Sequence, residues 1–370
     1  MSEKSEKEKW ELAKKRKSDV ISANIPQLVR REAEARQQIS TWNREPLKHY
    51  VRRVGWESVV LAFLTKLRAC GVTRPWKYLT FPGPDALDIG LFYQKRLLDV
   101  TPDGKLSVAI CDRENADKVA LRLQKFGGVL ASSEKELQDA LIDPHNVLVQ
   151  EFPFDVINLD FCNSLIRPNR NNLKALDQVF ALQRGQGFLL LLTSRPDQNQ
   201  RDEHLEILAD NLRNEPEFQE AYTGKYLTNN PRACLNDYTT FTQIVFSKII
   251  ARYGRIFGYR VDEHFTARYR KLDGFDMVSH SFELDPIVGR RQCAAKYEPR
   301  LPLPPRDRVE QVLRGELPQK VRQEAEMGYK RFIANLPTRQ VLNVNEFLAG
   351  QQALFVELIN EAASLETWLN

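Results

Sequence analysis

Apolar residues occur along this chain in two kinds of run, and their alternation predicts the architecture. In Phe154-Asp-Val-Ile-Asn-Leu-Asp-Phe-Cys-Asn163 an apolar run ends abruptly in Asn158, Asp160 and Asn163, and a second run follows in Gly187-Phe-Leu-Leu-Leu-Leu-Thr193. Continuous runs of this length read as parallel strands buried on both faces, whose polar ends reach the edge where open α/β sheets bind ligands. Between them, residues 172–182 carry apolar positions at helical spacing. Strand, helix and strand within about forty residues form a right-handed crossover unit.

The same alternation extends upstream. Trp76–Phe81 reads as a first strand, followed by a helix to about Leu98, and Lys105–Asp112 as a second strand ending in a carboxylate, with a helix from Asn115 to Phe126. Residues 127–132 read as a third strand and 134–142 as its helix. These patterns predict an α/β fold with a doubly wound, mostly parallel sheet. Beyond Pro196 come a charged helix to about Asn214, a Gly/Asn/Pro-rich stretch at 224–231 and an amphipathic helix from Thr239 to Tyr253. Residues 259–269 and 275–283, joined through Asp273-Gly274, read as a terminal antiparallel hairpin, on which His264 and His280 are expected to be exposed.

Helical extensions flank this core. Residues 1–72 are expected to form a basic amino-terminal extension, 73–288 the α/β domain, and 289–370 a basic, proline-containing linker with a helical carboxyl-terminal region, the linker at Pro299–Pro305. In the final helix Phe355, Leu358, Ala362, Leu365 and Leu369 recur at intervals of three and four. Such a stripe packs on its own domain or accepts a protein partner, a second copy included.

Charge sharpens the picture. The formal net charge is +5, with 14 basic against 9 acidic residues in 1–60 and 12 against 6 in 289–340. A basic periphery around an acidic centre suits a polyanion such as nucleic acid, with Lys14, Lys15, Arg16 and Lys17 and, beyond the core, Arg290, Arg291, Arg306 and Arg308 as phosphate contacts. The longest apolar runs are far shorter than a membrane helix, and the charged amino terminus lacks a signal peptide's apolar centre, so a cytoplasmic location is expected. The five scattered cysteines include no C-x-x-C pair, which points to neither a zinc site nor a disulfide framework.

Five parallel-type strands, a carboxylate after the second, polar groups after the fourth and a terminal hairpin resemble the class I S-adenosylmethionine-dependent methyltransferases over roughly residues 76–285. The resemblance implies that Gly83 and Asp85 stand in the cofactor loop after the first strand and that Asp112 accepts from ribose hydroxyls. It also implies that Asn158, Asp160 and Phe161 form the catalytic motif. Asn158-Leu-Asp-Phe161 keeps the outer residues of the Asn-Pro-Pro-Tyr/Phe motif of amino-group methyltransferases, and Asp160-Phe-Cys-Asn163 is similar to the Asp-Pro-Tyr/Phe-Gly of some tRNA base methyltransferases, both without the prolines. In either register a polar group accepts from an exocyclic amine while the Phe161 ring stacks on the base. The first loop, Phe81-Pro-Gly-Pro-Asp85, has prolines where the family has glycines. Two readings follow: a nucleic-acid methyltransferase using S-adenosylmethionine, or an inactive methyltransferase-like subunit serving as a scaffold or nucleic-acid-binding component.

Overall fold

The computed structural model describes residues 45–83, 85–161, 163–167, 170–183, 185–196, 238–271, 274–287, 317–336 and 341–367. All strands among them share one eight-stranded sheet, in the order β3-β2-β1-β4-β5-β7-β6-β8. The strands β1 (Tyr78–Thr80), β2 (Val108–Cys111), β3 (Leu130–Ser132), β4 (Val156–Asp160) and β5 (Phe188–Ser194) are mutually parallel. The hairpin of β6 (Tyr259–Arg270) and β7 (Asp276–Pro286) then adds antiparallel to β5 through β7. The α/β class, with a mostly parallel sheet and one antiparallel hairpin, is therefore as the pattern predicted.

The strand β8 (Leu342–Asn343) departs from the expectation of a helical carboxyl-terminal region. It pairs parallel with β6, Leu342 opposite Ala267. Two residues carry no periodicity by which sequence could mark them. His280 also departs: it is buried, with Nδ1 2.6 Å from Glu263, whereas His264 is exposed and pairs with Glu283. A bulge between Glu263 and Phe265 shifts the pairing by one residue, so strict alternation does not run through the hairpin.

The chain enters as α1 (Pro46–Tyr50), continues through a π-helical turn (Val51–Glu57) into α2 (Ser58–Ala69), and adds α3 (Leu87–Gln94) and α4 (Ala116–Leu123). Next come α5 (Leu137–Ile142), α6 (Val147–Gln150), α7 (Asn172–Leu182) and α8 (Tyr238–Phe257). The last are α9 (Gln319–Asn335), α10 (Val344–Ala349) and α11 (Gln352–Thr367). Alternate strand residues feed two cores. On β5, Phe188, Leu190 and Leu192 join a core shared with α5 to α9, while Leu189 and Leu191 join one shared with α1 to α4, α10 and α11. A strand covered on both faces has no polar side, which is why its sequence is an unbroken apolar run.

The second core changes the status of both flanks. From residue 45 onward the amino-terminal stretch is a packed layer, with Tyr50, Trp56, Val60 and Phe63 buried. Leu358, Ala362 and Leu365 of α11 are buried in the same core. Of the two readings of that stripe, packing on the chain's own domain is the one seen for Leu358, Ala362 and Leu365; Leu369 lies outside the described residues. No helix among them is long and apolar enough to cross a membrane.

Close approach explains the glycine in the π turn. A Cβ on Gly55 would lie 2.3 Å from Cε1 of Phe265 on β6, and the Gly55 carbonyl accepts from Ser281 Oγ at 2.7 Å. Gly55→Ala must push the helix off the sheet or force Phe265 out of its rotamer, an overpacking cost of roughly 1–3 kcal/mol. Urea unfolding should show that loss, and an unchanged midpoint would mean the ring moves freely.

Candidate functional site

A cleft of about 430 Å³ opens at the carboxyl edge of the sheet. It lies beyond β1, β2, β3 and β4, around the point where strand order reverses between β1 and β4, the position at which open α/β sheets take ligands. Its walls include Phe81, Pro82 and Gly83 after β1, Asp112, Glu114 and Asn115 after β2, and Glu136 to Gln138 at the start of α5. Asp160, Phe161 and Asn163 at the end of β4 complete it with Lys48, Arg170 and Lys271. Of the residues predicted from sequence, the fold thus brings Gly83, Asp112, Asp160 and Phe161 to one cavity.

Two predicted residues are placed differently. Asp85 does not line the cleft. The loop reverses within it, Gly83 at φ 63° and Ala86 at φ 45°, with the Ala86 amide donating to the Gly83 carbonyl at 3.3 Å. Asn158 is also absent from the wall: it is buried, and its Nδ2 donates to Thr80 Oγ1 at 3.1 Å. Asp88 of α3 accepts from both Thr80 Oγ1 (2.5 Å) and Tyr78 OH (2.6 Å), which makes a polar cluster beneath the sheet edge. Burial, and then the neighbouring Asp88, push the Tyr78 hydroxyl far above its ordinary pKa, so it stays a donor. Asn158 belongs to this support, two residues short of the open edge, because the strand is still covered there.

Asp112 closes β2 and is largely engaged. Oδ1 accepts from the amides of Glu114 (2.9 Å) and Asn115 (3.0 Å), and Oδ2 from Asn115 Nδ2 (3.0 Å). A carboxylate has about four acceptor positions, so one is left for a ligand hydroxyl. The β4 turn is also pinned. Ser194 Oγ takes the Leu165 amide (2.8 Å) and donates to the Asn163 carbonyl (3.0 Å), while Asn172 Nδ2 donates to Asn163 Oδ1 (2.5 Å) and the Ser164 carbonyl (2.9 Å).

Lys48 is the residue sequence reasoning missed. Its Nζ lies 2.5 Å from Asp160 Oδ2, and the two side chains are 14% and 11% exposed. The helix that carries it, α1, and the π turn that follows are tied to α11: His49 Nε2 is 3.3 Å from Glu361 and Arg53 Nη1 2.6 Å from Glu357. Burial pushes the His49 imidazole below its ordinary pKa, although the Glu361 bond works the other way. A lysine next to Pro46 in a short charged stretch carries no signal of a partner 112 positions away. Arg170 and Lys271 were missed for the same reason. The predicted phosphate contacts Lys14, Lys15, Arg16, Lys17, Arg290, Arg291, Arg306 and Arg308 lie outside the described residues, as does the Pro299–Pro305 linker.

Comparison with known proteins adds a family. The model described as PP_RS20740-like matches residues 36–98 and 121–247, just over half of the chain. The chain belongs to this family. The segments matched by the PP_RS20740-like model carry Lys48, Gly83, Asp160, Phe161 and Arg170, and leave out Asp112 and the hairpin turn with Lys271. No curated protein matches the chain.

Proposed function

We propose that the chain binds S-adenosylmethionine in this cleft and methylates an amino nitrogen of a nucleic-acid base. The observation that carries the proposal is the convergence of Gly83, Asp112, Asp160 and Phe161 on one cavity at the reversal of strand order. The donor set fits the cofactor. Four carboxylates, Asp112, Glu114, Glu136 and Asp160, face three cations, Lys48, Arg170 and Lys271, and S-adenosylmethionine carries a sulfonium and an amino-acid zwitterion that need both signs. A cleft of about 430 Å³ is within the range of small-molecule sites.

The cofactor supplies an electrophilic methyl group: the methyl–sulfur bond breaks as the carbon–nitrogen bond forms, and the sulfur leaves as a neutral thioether. In this reading the chain's own residues do the rest. The free acceptor position of Asp112 takes a ribose hydroxyl, Phe161 offers a flat apolar surface to the base, and Asp160 orients the amine and receives its proton.

A second reading is favoured by Lys48. Its ammonium already occupies Asp160 where an acceptor amine would bind, as expected of a methyltransferase-like subunit that no longer turns over and serves as a scaffold or nucleic-acid-binding component. Calorimetric titration of the full chain with S-adenosylmethionine separates the two. The first reading expects saturable binding, weakened about tenfold or more in Asp112→Asn, since a hydrogen bond to a charged group contributes roughly 1.5–3 kcal/mol. Asparagine keeps one oxygen for the Glu114 and Asn115 amides and gives up only the bond from Asn115 Nδ2. No heat at millimolar cofactor would leave the second reading.

A further inference from the structure

We propose that Arg195 and Phe275, with Lys271 and Arg170, form a platform at the mouth of the cleft on which a base of single-stranded nucleic acid stacks beside the nucleotide entering it. The proposal rests on the nucleic-acid part of the reading above and names the residues and the strand state it requires.

Phe275 is 37% exposed in the turn between β6 and β7, and the guanidinium carbon of Arg195 lies 3.4 Å from its ring centroid. Isolated exposed aromatics are common and need no explanation; the placement of this one is what matters. The turn is closed by Lys271 N donating to the Phe275 carbonyl (2.8 Å) and Gly274 N to the Lys271 carbonyl (2.9 Å). At its base Arg270 pairs with Asp276 through two contacts, 2.8 and 3.2 Å. The turn thereby holds Phe275 and Lys271 in a fixed relation, and Lys271 lines the cleft.

Arg195 ties the same stack to the β4 turn. It follows β5 directly, and its amide donates to the Asn163 carbonyl at 3.3 Å, so the platform adjoins the segment that carries Phe161 and Asn163 into the cleft. In the sheet, Asp160 is opposite Thr193, and Thr193 opposite Ser279. Ser279 therefore stands about two strand spacings, ~10 Å, across the sheet from Asp160, and Phe275 lies four residues before it in the chain, toward and beyond the carboxyl edge onto which the cleft opens. A guanidinium on an aromatic ring presents a flat cationic surface, which attracts a base face and a phosphate together. Lys271 and the exposed Arg170 add two cations at the rim. Base faces are hidden in a duplex and open in a single strand, so the chemistry selects the latter.

The test uses the full-length chain and a thymidine oligonucleotide with a central 2-aminopurine, whose fluorescence is quenched on stacking. Wild type is expected to bind and quench at low salt. Phe275→Ala is expected to lose the quench and bind about tenfold or more weakly, Phe275→Tyr to retain both, and Lys271→Ala to lower the salt dependence by about one counterion. The S-adenosylmethionine titration should be unchanged in Phe275→Ala, whose side chain is outside the cleft wall. Equal affinity and quench in Phe275→Ala would overturn the platform while leaving nucleic-acid binding to the basic flanks. A duplex bound as tightly, with the same dependence on Phe275, would overturn the preference for single strands. Failure of the wild type to retain any oligonucleotide would sink the nucleic-acid reading itself, and a protein ligand would then be the occupant to seek.

Discussion

Asp160→Asn is expected to lose at least about a hundredfold in methyl transfer, the lower end of what a positioned acid–base group contributes. The carboxylate stands at the open end of β4 beside Phe161; in the proposed reaction it accepts from the amine and takes the proton released as the carbon–nitrogen bond forms. The amide is nearly the same shape but cannot take that proton, and it leaves the Lys48 ammonium facing the acceptor without a counter-charge. The fold should be retained at a modest cost. The two side chains are only 14% and 11% exposed, so removing the counter-charge of Lys48 should lower the unfolding free energy by about 1.5–3 kcal/mol. Lys48→Met supplies the complementary result: removing the competing ammonium is expected to raise transfer. If Asp160→Asn methylates as fast as wild type, the residue is not the proton acceptor. If wild type and Lys48→Met are equally inert while both bind the cofactor, the inactive-subunit reading takes precedence.

The opposite division, stability lost and site untouched, is expected for Asp155→Ala, which should cost about 3–5 kcal/mol of unfolding free energy. Asp155 is fully buried at the amino end of β4, and its carboxylate accepts from Arg74 Nη1 and Nη2 (both 2.7 Å), the Lys77 amide (2.8 Å) and Gln186 Nε2 (3.1 Å). It thus staples the chain leading into β1 to β4 and to the turn before β5. Alanine leaves a guanidinium, a backbone amide and a carboxamide without the acceptor they share, and each unsatisfied donor is costly. Chemical denaturation should show the loss, while the cofactor titration below the transition should match wild type, because this staple lies at the opposite edge of the sheet from the cleft. A midpoint unchanged within error would show that Arg74, still partly exposed, turns to water when its partner is gone.

Asp155 and Asp160 belong to one ten-residue run and are alike in sequence: each is an acid bordering apolar residues. Local pattern predicts a strand there and predicts that its carboxyl end meets those of β1 and β2, because parallel neighbours deliver their ends to the same edge. That logic placed Gly83, Asp112, Asp160 and Phe161 at one edge, where they line one cavity. It misplaced Asn158, which shares a strand face with Asp160 but lies two residues deeper, under cover of Thr80 and Asp88. Depth along a strand depends on which elements lie across it, and periodicity carries no information about that.

What the sequence determined by itself is the α/β class, the five parallel strands, the hairpin and the acid closing β2. All of these are written in contacts close along the chain, in the spacing of apolar residues and in where a run stops. What only the tertiary structure decided depends on partners far apart in sequence. Lys48 meets Asp160 across 112 positions, Trp56 and Leu365 share a core from the two ends of the chain, and Leu342-Asn343 becomes a strand because β6 has an edge to fill. Whether Phe275 is a hairpin residue or half of a cationic platform is set by Arg195 arriving at its ring from β5. Such pairings follow from the packing of whole elements, since a side chain's neighbours are fixed by which faces are buried together, and no short window of sequence records them.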